Sequence, residues 1–200
     1  MHWILNELSV PYRYLNFEAG SEYAKSEEYK RINLTGKIPT IKIGKDTLFE
    51  SAAICLHIAD RFGDYESTYD IGSPNRAKIY QWCFFAMSEL DAHTLYILLK
   101  HGGIHKDIYG ESEVAVKTAK KGFETQIVKV ENELKDGKNF LVNNTFSVAD
   151  ILIGTCLDSA LNSKLGASLE VPKNCQRYWN NLKEREAFKK AYNLNFEKNS

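Results

Sequence analysis

Along the first 63 residues the apolar positions change period several times. Met1 to Leu8 is apolar with helical character, and Ser9-Val10-Pro11 closes it. Tyr12 to Phe17 alternates, which predicts a strand. Ser21 to Ile32 is polar apart from Tyr23, Tyr29 and Ile32 and reads as a modest surface helix. Gly36-Lys37-Ile38-Pro39 is a turn, Thr40 to Ile43 an apolar strand, Gly44-Lys45-Asp46 a reversal and Leu48-Phe49 the return, so a β-hairpin is expected. Behind Glu50-Ser51, the residues Ile54, Cys55, Ile58, Ala59 and Phe62 keep helical spacing, with Ser51 as the expected N-cap. Gly63 to Gly72 has no period and is the expected linker.

Beyond the linker the pattern is helical only. Ser73-Pro74 is an N-cap with proline at the first helical position. Ile79, Trp82, Cys83, Ala86, Met87 and Leu90 share one face of a long helix that Gly102-Gly103 stops. Val116, Ala119, Phe123, Ile127, Val130 and Leu134 predict a second long helix antiparallel to the first, ended by Asp136-Gly137. Phe146 to Ile151 carries a helix-start device in which Ser147 caps and the Asp150 carboxylate reaches back; its role is structural. The continuous apolar face that follows is expected to form the core of a second domain. Pro172 to Leu182 and Glu186 to Tyr192 close the chain as short helices, and the tail Asn195 to Ser200 is expected to fray.

Composition narrows the classes. Two hundred residues with 44% hydrophobic content are enough for a substantial core. The 26 basic and 26 acidic residues cancel, so no net field recruits nucleic acid or an anionic membrane. No apolar run reaches the roughly 18 residues of a membrane span, and the first ten residues lack the basic start of a secretory signal. Cys55, Cys83, Cys156 and Cys175 show neither a C-x-x-C pair nor metal-ligand spacing, and read as buried thiols of a reducing compartment. His57 and His93 have no second ligand at metal spacing, so no metal is expected. A cytoplasmic protein is the expectation.

Two features carry candidate chemistry. Pro39 at the head of a strand cannot donate to a ladder, so it marks a sheet edge or a special turn, of which a cis bond is one form. A helix beginning at Ser51 presents free N–H groups that attract a carboxylate. From spacing alone, Gly36-Lys37 also fits an ordinary solvated turn, Glu50 a surface acid and Ser51 a simple cap.

The segment Asn33 to Asp60 resembles the glutathione-binding segment of the cytosolic glutathione transferases, with its G-K-V/I-P turn and an E-S pair opening the next helix. Ile4 to Phe17 is similar to that family's first helix and second strand, and Ser73 to Tyr96 to the first long helix of its helical domain. Phe146 to Ile153 is similar to its buried capping motif, and Tyr178 to Tyr192 to its last helices. The resemblance implies an α+β thioredoxin-like domain over 1–63, incomplete at its start, then a linker at 64–72 and an all-α helical domain over 73–200. It implies glutathione as co-substrate, a small electrophile as acceptor, and a homodimer.

The same resemblance implies roles. Ile38, ahead of Pro39, would hold the cysteinyl unit through its backbone. Ser51 would hold the γ-glutamyl carboxylate, Glu50 the γ-glutamyl ammonium, and Lys37 the glycyl carboxylate. The family's first strand and the Tyr, Ser or Cys that faces the sulfur have no counterpart, because Met1 already falls in the first helix; Ser9 and Tyr12 stand at its far end. No catalytic residue is assigned. The Tyr12 to Phe17 strand is then expected to pair with the hairpin or with a strand from another chain. Glu89, Asp91, His93 and Tyr96 match the family's interface and acceptor-pocket helix, and also fit a solvated face. Two further functions fit the same chain: a non-catalytic protein-interaction module, and a thiol-disulfide or peroxide enzyme.

Overall fold

The computed structural model describes residues 1–63 and 69–194. Most of the predicted linker, residues 64–68, and the tail 195–200 lie outside the described residues. The chain divides into two compact units, Met1–Asp64 with Glu186–Ser200, and Tyr65–Arg185. The first is a thioredoxin-like unit with a small sheet, and the second is helical.

In the first unit, α1 (His2–Glu7) is followed by two four-residue helices, α2 (Glu22–Lys25) and α3 (Glu27–Lys30), where a single helix was expected. Ser26 divides them. Its backbone is extended, and its hydroxyl accepts from the Tyr29 amide (3.1 Å) while donating to the Tyr23 carbonyl (2.7 Å). Serine thus offers the backbone an alternative to the helical ladder. Strands β1 (Thr40–Ile43) and β2 (Asp46–Phe49) form the expected antiparallel hairpin around Gly44, whose φ of 64° suits glycine.

Tyr12 to Phe17 is a correction to the sequence reading: it is not a strand, and it does not pair with the hairpin. The sheet among the described residues is two-stranded, β1 with β2. A strand needs a neighbour to take its N–H and C=O groups. This segment is mostly exposed, so water can serve instead. Its alternation survives in side-chain direction: the Tyr12 and Tyr14 rings pack against His2, and Phe17 packs against Tyr23 and Tyr29.

Helix α4 (Ser51–Phe62) buries Ile54, Cys55, Ile58 and Ala59, the face its spacing predicts. It packs on α1, where Trp3, Ile4 and Leu5 are buried. The closing helix, here α11 (Glu186–Leu194), belongs to this unit: it packs on α1, with the Trp3 and Phe188 rings 4.9 Å apart at 67°.

The second unit begins with α5 (Pro74–Phe85), capped by Ser73 with Pro74 behind it as predicted. The helix then widens into a π-helical segment, Ala86–Leu95, and returns to α-helix in α6 (Tyr96–His101). Uniform α-helical spacing was expected here. With the wider turn, buried positions recur every fourth residue at Ala86, Leu90, Thr94 and Leu98, and Met87 moves off the buried face. The Thr94 hydroxyl donates to the Leu90 carbonyl, and a Cβ on Gly122 would come within 3.2 Å of the Thr94 methyl.

After α7 (Lys106–Tyr109), α8 (Glu113–Glu133) runs alongside with Ala119, Phe123, Ile127 and Val130 inward. Helix α9 (Val148–Ala160) is buried at ten of its positions and packs on α5, the π segment and α10 (Lys173–Lys183), so it is the core of this unit. Its capping box holds: the Ser147 amide donates to Asp150 Oδ2 at 2.8 Å. The four cysteines are buried and form no disulfide among the described residues.

Candidate functional site at the head of the hairpin

The hairpin register pairs Thr40 with Phe49, so the residues just before β1 and just after β2 emerge at the same end of the sheet. The Ile38-Pro39 turn and the Glu50-Ser51 helix start are therefore neighbours, and tertiary structure brings four of the sequence candidates together. Ile38-Pro39 is a cis peptide bond.

Beneath the turn lies a buried polar network. Tyr29 and Asn33 are 4% and 3% exposed. The Tyr29 hydroxyl donates to the Lys37 carbonyl at 2.7 Å, and the Asn33 amide donates to the same oxygen at 3.0 Å and to Thr40 Oγ1 at 3.0 Å. Asn33 Oδ1 accepts from the Thr35 amide (3.1 Å) and hydroxyl (2.8 Å). The Thr40 and Tyr29 oxygens are 2.8 Å apart. The protons distribute without conflict: Tyr29 to Lys37, Thr40 to Tyr29, and the two Asn33 amide hydrogens to Lys37 and Thr40. Gly36 closes the loop at a φ of 65°, where a Cβ would stand 3.1 Å from the Ala24 carbonyl.

Above the network, Lys37, Ile38 and Glu50 are exposed and Pro39 half-buried. Ile38 N–H donates to no group among the described residues. The Lys37 ammonium and Glu50 carboxylate likewise meet no ion-pair partner among them. Ser51 needs a correction. It is the first residue of α4, and the N-cap is Glu50, whose carbonyl accepts the first helical bond from Ile54 N–H at 2.9 Å. Glu50 takes φ 69°, ψ 114°, outside the usual regions for a residue with a Cβ. Such backbone costs about 1–3 kcal/mol and recurs at ligand clamps. The Glu50 side chain makes no capping bond to α4, whose N-terminal end carries the positive pole of the helix dipole.

Tyr29 and Asn33 were missed as site residues. In the sequence Tyr29 reads as an apolar position on a surface helix, and Asn33 only opens the candidate segment. The signal that could have found them is a pair of hydrogen-bonding side chains eight and four residues before the lysine of a G-K-I-P turn.

The helical unit holds the other candidates. The Glu89 carboxylate accepts from Gln126 Nε2 at 3.2 Å. Burial raises the Asp91 carboxyl above its ordinary range, whereas His93 is exposed. Tyr96 lies under the Lys100 ammonium, 4.3 Å from the ring centre. Among the described residues no group of His, Cys, Asp and Glu is assembled to hold a metal, and no helix is long and apolar enough to cross a membrane.

Residues 1–61 match the family model of the glutathione S-transferase N-terminal domain, and residues 76–186 that of the C-terminal domain. The chain belongs to the glutathione S-transferase family. It is 27% identical over 182 residues to glutathione S-transferase A of Pleuronectes platessa, covering 89% of this chain and 77% of that protein. It is also 27% identical over 174 residues to a probable elongation factor 1-gamma 2 of Arabidopsis thaliana, covering 84% of this chain. The chain spans about two fifths of the length of such elongation factors, 39% of this one and 41% of one from rice. A sphingomonad glutathione S-transferase solved in complex with glutathione superposes with a TM-score of 0.78 at 22% identity, covering 98% of this chain and 93% of that one. This transferase-family chain therefore has the transferase fold.

Proposed function

We propose that the protein binds glutathione at the head of its hairpin and is a glutathione transferase by family, a chemistry in which the bound thiolate attacks a small electrophile, with the residues of that site serving the binding half of it. The observation that carries this reading is the Ile38 N–H, which donates to no group among the described residues and stands opposite the inward-held Lys37 carbonyl, close to the N-terminal end of α4. An extended acidic tripeptide needs both: a main-chain donor for its centre and a helix N-terminus for its γ-glutamyl carboxylate. In this reading Glu50 accepts from the γ-glutamyl ammonium, Ser51 with its amide receives the carboxylate, and Lys37 meets the glycyl carboxylate. Pro39 sets the turn between them. The described residues supply these binding groups; a donor that lowers the thiol pKa is not assigned among them.

We place the protein in the cytoplasm, with domain 1–63 joined through a linker at 64–72 to the helical domain proposed over 73–200, whose closing helix α11 packs on α1 of the first unit. A homodimer is the expected assembly, because Phe49 and Phe84 are large apolar side chains left 48% and 69% exposed. The test is calorimetric titration with glutathione together with conjugation of a generic aromatic electrophile. Absence of binding at millimolar glutathione sinks the reading.

The elongation factor 1-gamma matches favour a second reading, a non-catalytic interaction module of a larger protein. That reading predicts stable capture of a protein partner and no glutathione affinity.

A further inference from the structure

The Lys37 carbonyl and the Ile38 N–H belong to one peptide unit. In a trans peptide these two groups point in opposite directions. Lys37 O is turned into the protein, where Tyr29 Oη (2.7 Å) and Asn33 Nδ2 (3.0 Å) both donate to it. Both donors are almost fully buried, and their own positions are fixed. The Tyr29 ring lies 5.1 Å from Phe17 and 5.8 Å from Tyr23, while Asn33 is tied through Oδ1 to Thr35. Locking the carbonyl inward therefore locks the N–H outward.

We infer that Tyr29 is a positioning residue of the glutathione site: its hydroxyl, with Asn33, sets the direction of the Ile38 N–H that a bound peptide must meet. This rests on the proposed glutathione-binding function. The advantage is preorganisation. Without the 2.7 Å Tyr29 bond the Lys37 carbonyl keeps Asn33 and the longer 3.4 Å contact from the Thr40 hydroxyl, so the turn samples peptide orientations in which Ile38 N–H is misdirected, and the ligand must then select the competent fraction. Phenylalanine would fill the same ring position against Phe17 and Tyr23, so the hydroxyl is the group that acts on Lys37. The adjacent Tyr23 hydroxyl lies at the surface, 3.4 Å from Glu28 Oε1, with no bond to the turn.

The test uses the 200-residue protein and its Tyr29→Phe and Tyr23→Phe variants, with two readouts. The first needs no ligand: 15N relaxation and amide exchange at Lys37 and Ile38. Tyr29→Phe should lower the Ile38 order parameter and speed its exchange, and Tyr23→Phe should leave both as in the parent. The second is glutathione titration, in which Tyr29→Phe should raise Kd by roughly three- to tenfold, the size expected for one hydrogen bond. An unchanged Ile38 amide in Tyr29→Phe overturns the inference. So does a Tyr29→Phe whose Kd matches the parent's. If the parent itself binds no glutathione, the functional reading falls, and the relaxation arm still decides whether Tyr29 aims the amide.

Discussion

The Glu131 carboxylate of α8 seats itself on the first turn of α10, with Oε2 accepting from the Cys175 amide at 3.0 Å. Its other oxygen takes the Asn174 side chain at 2.7 Å and the Asn174 amide at 3.3 Å. The N-cap of α10 is Pro172, which has no side chain to offer, so the cap comes from another helix. The reciprocal contact runs from Arg177, which donates to the Leu134, Gly137 and Lys138 carbonyls at 3.0, 3.4 and 3.2 Å, just past the end of α8. One acid and one base thus satisfy opposite helix ends, each with the sign the local dipole favours. Glu131→Ala should destabilise the protein by about 1–2 kcal/mol in urea unfolding. Glu131→Gln should recover part of that loss.

Two glycines with similar backbone angles should respond very differently to alanine. Gly166 (φ 66°) passes so close to the end of α6 that a Cβ would lie 1.8 Å from the Gly102 carbonyl oxygen, while Gly137 (φ 78°) has nothing within 4 Å. Gly137→Ala should cost only the left-handed strain, about 1–2 kcal/mol. Gly166→Ala adds a clash between backbone segments and should lose several kcal/mol more, or fail to fold. Thermal unfolding of the two variants side by side checks the contrast.

Asp150 gives a pH dependence of unusual sign. Its carboxylate is fully buried and accepts from the Leu141 amide (2.9 Å), the Tyr178 hydroxyl (2.7 Å) and the Ser147 amide (2.8 Å) and hydroxyl (3.3 Å). Burial outweighs these bonds and raises its pKa to about 6. A folded-state pKa above the unfolded value means that the folded protein binds the proton more tightly. This group's contribution is then most favourable below pH 4 and is lost as pH rises through about 6, by roughly 3 kcal/mol in all. Carboxyl 13C titration should show one aspartate with a midpoint near 6. A midpoint below 4 would show that the four donors prevail over burial.

Glutathione binding and conjugation should come apart in this chain. An ordinary thiol of pKa about 8.5 is roughly 3% ionised at pH 7, and lowering it by about two units raises the thiolate some 25-fold. The Tyr29 and Thr40 hydroxyls near the turn are engaged in holding it. The 200-residue chain should therefore bind glutathione weakly and conjugate an aromatic electrophile near the uncatalysed rate. Ser51→Ala should raise Kd about fivefold, the equivalent of one hydrogen bond. Robust turnover would place a sulfur-activating group within these 200 residues, and an unchanged Kd would remove Ser51 from the site.

The domain division predicts where protease acts. The lack of a hydrophobic period marks Gly63 to Gly72 as the linker, so limited proteolysis should cut first within Tyr65 to Asp70. Earlier cutting between residues 111 and 135 would count against the boundary.

Local physics alone determined the hairpin, the Ser73-Pro74 start, the Ser147–Asp150 box and the buried α9, because period, turn residues and caps act over a few neighbouring positions. Local reasoning reached only the Pro39 turn and the helix start at Ser51; the site roles of Lys37, Ile38, Glu50 and Ser51 came from the family resemblance. Only the tertiary structure decided what depends on distant partners. Tyr12 to Phe17 alternates like a strand, yet a strand exists only where another strand accepts its hydrogen bonds. The π turn at Ala86–Leu95 is set by how Thr94 and its neighbours pack on α8 and α9, which helical spacing cannot reveal. Glu50 in place of Ser51 as the cap follows from one positive φ. The inward Lys37 carbonyl is likewise invisible in sequence, since its donors Tyr29 and Asn33 become a pair only when α3 folds under the turn.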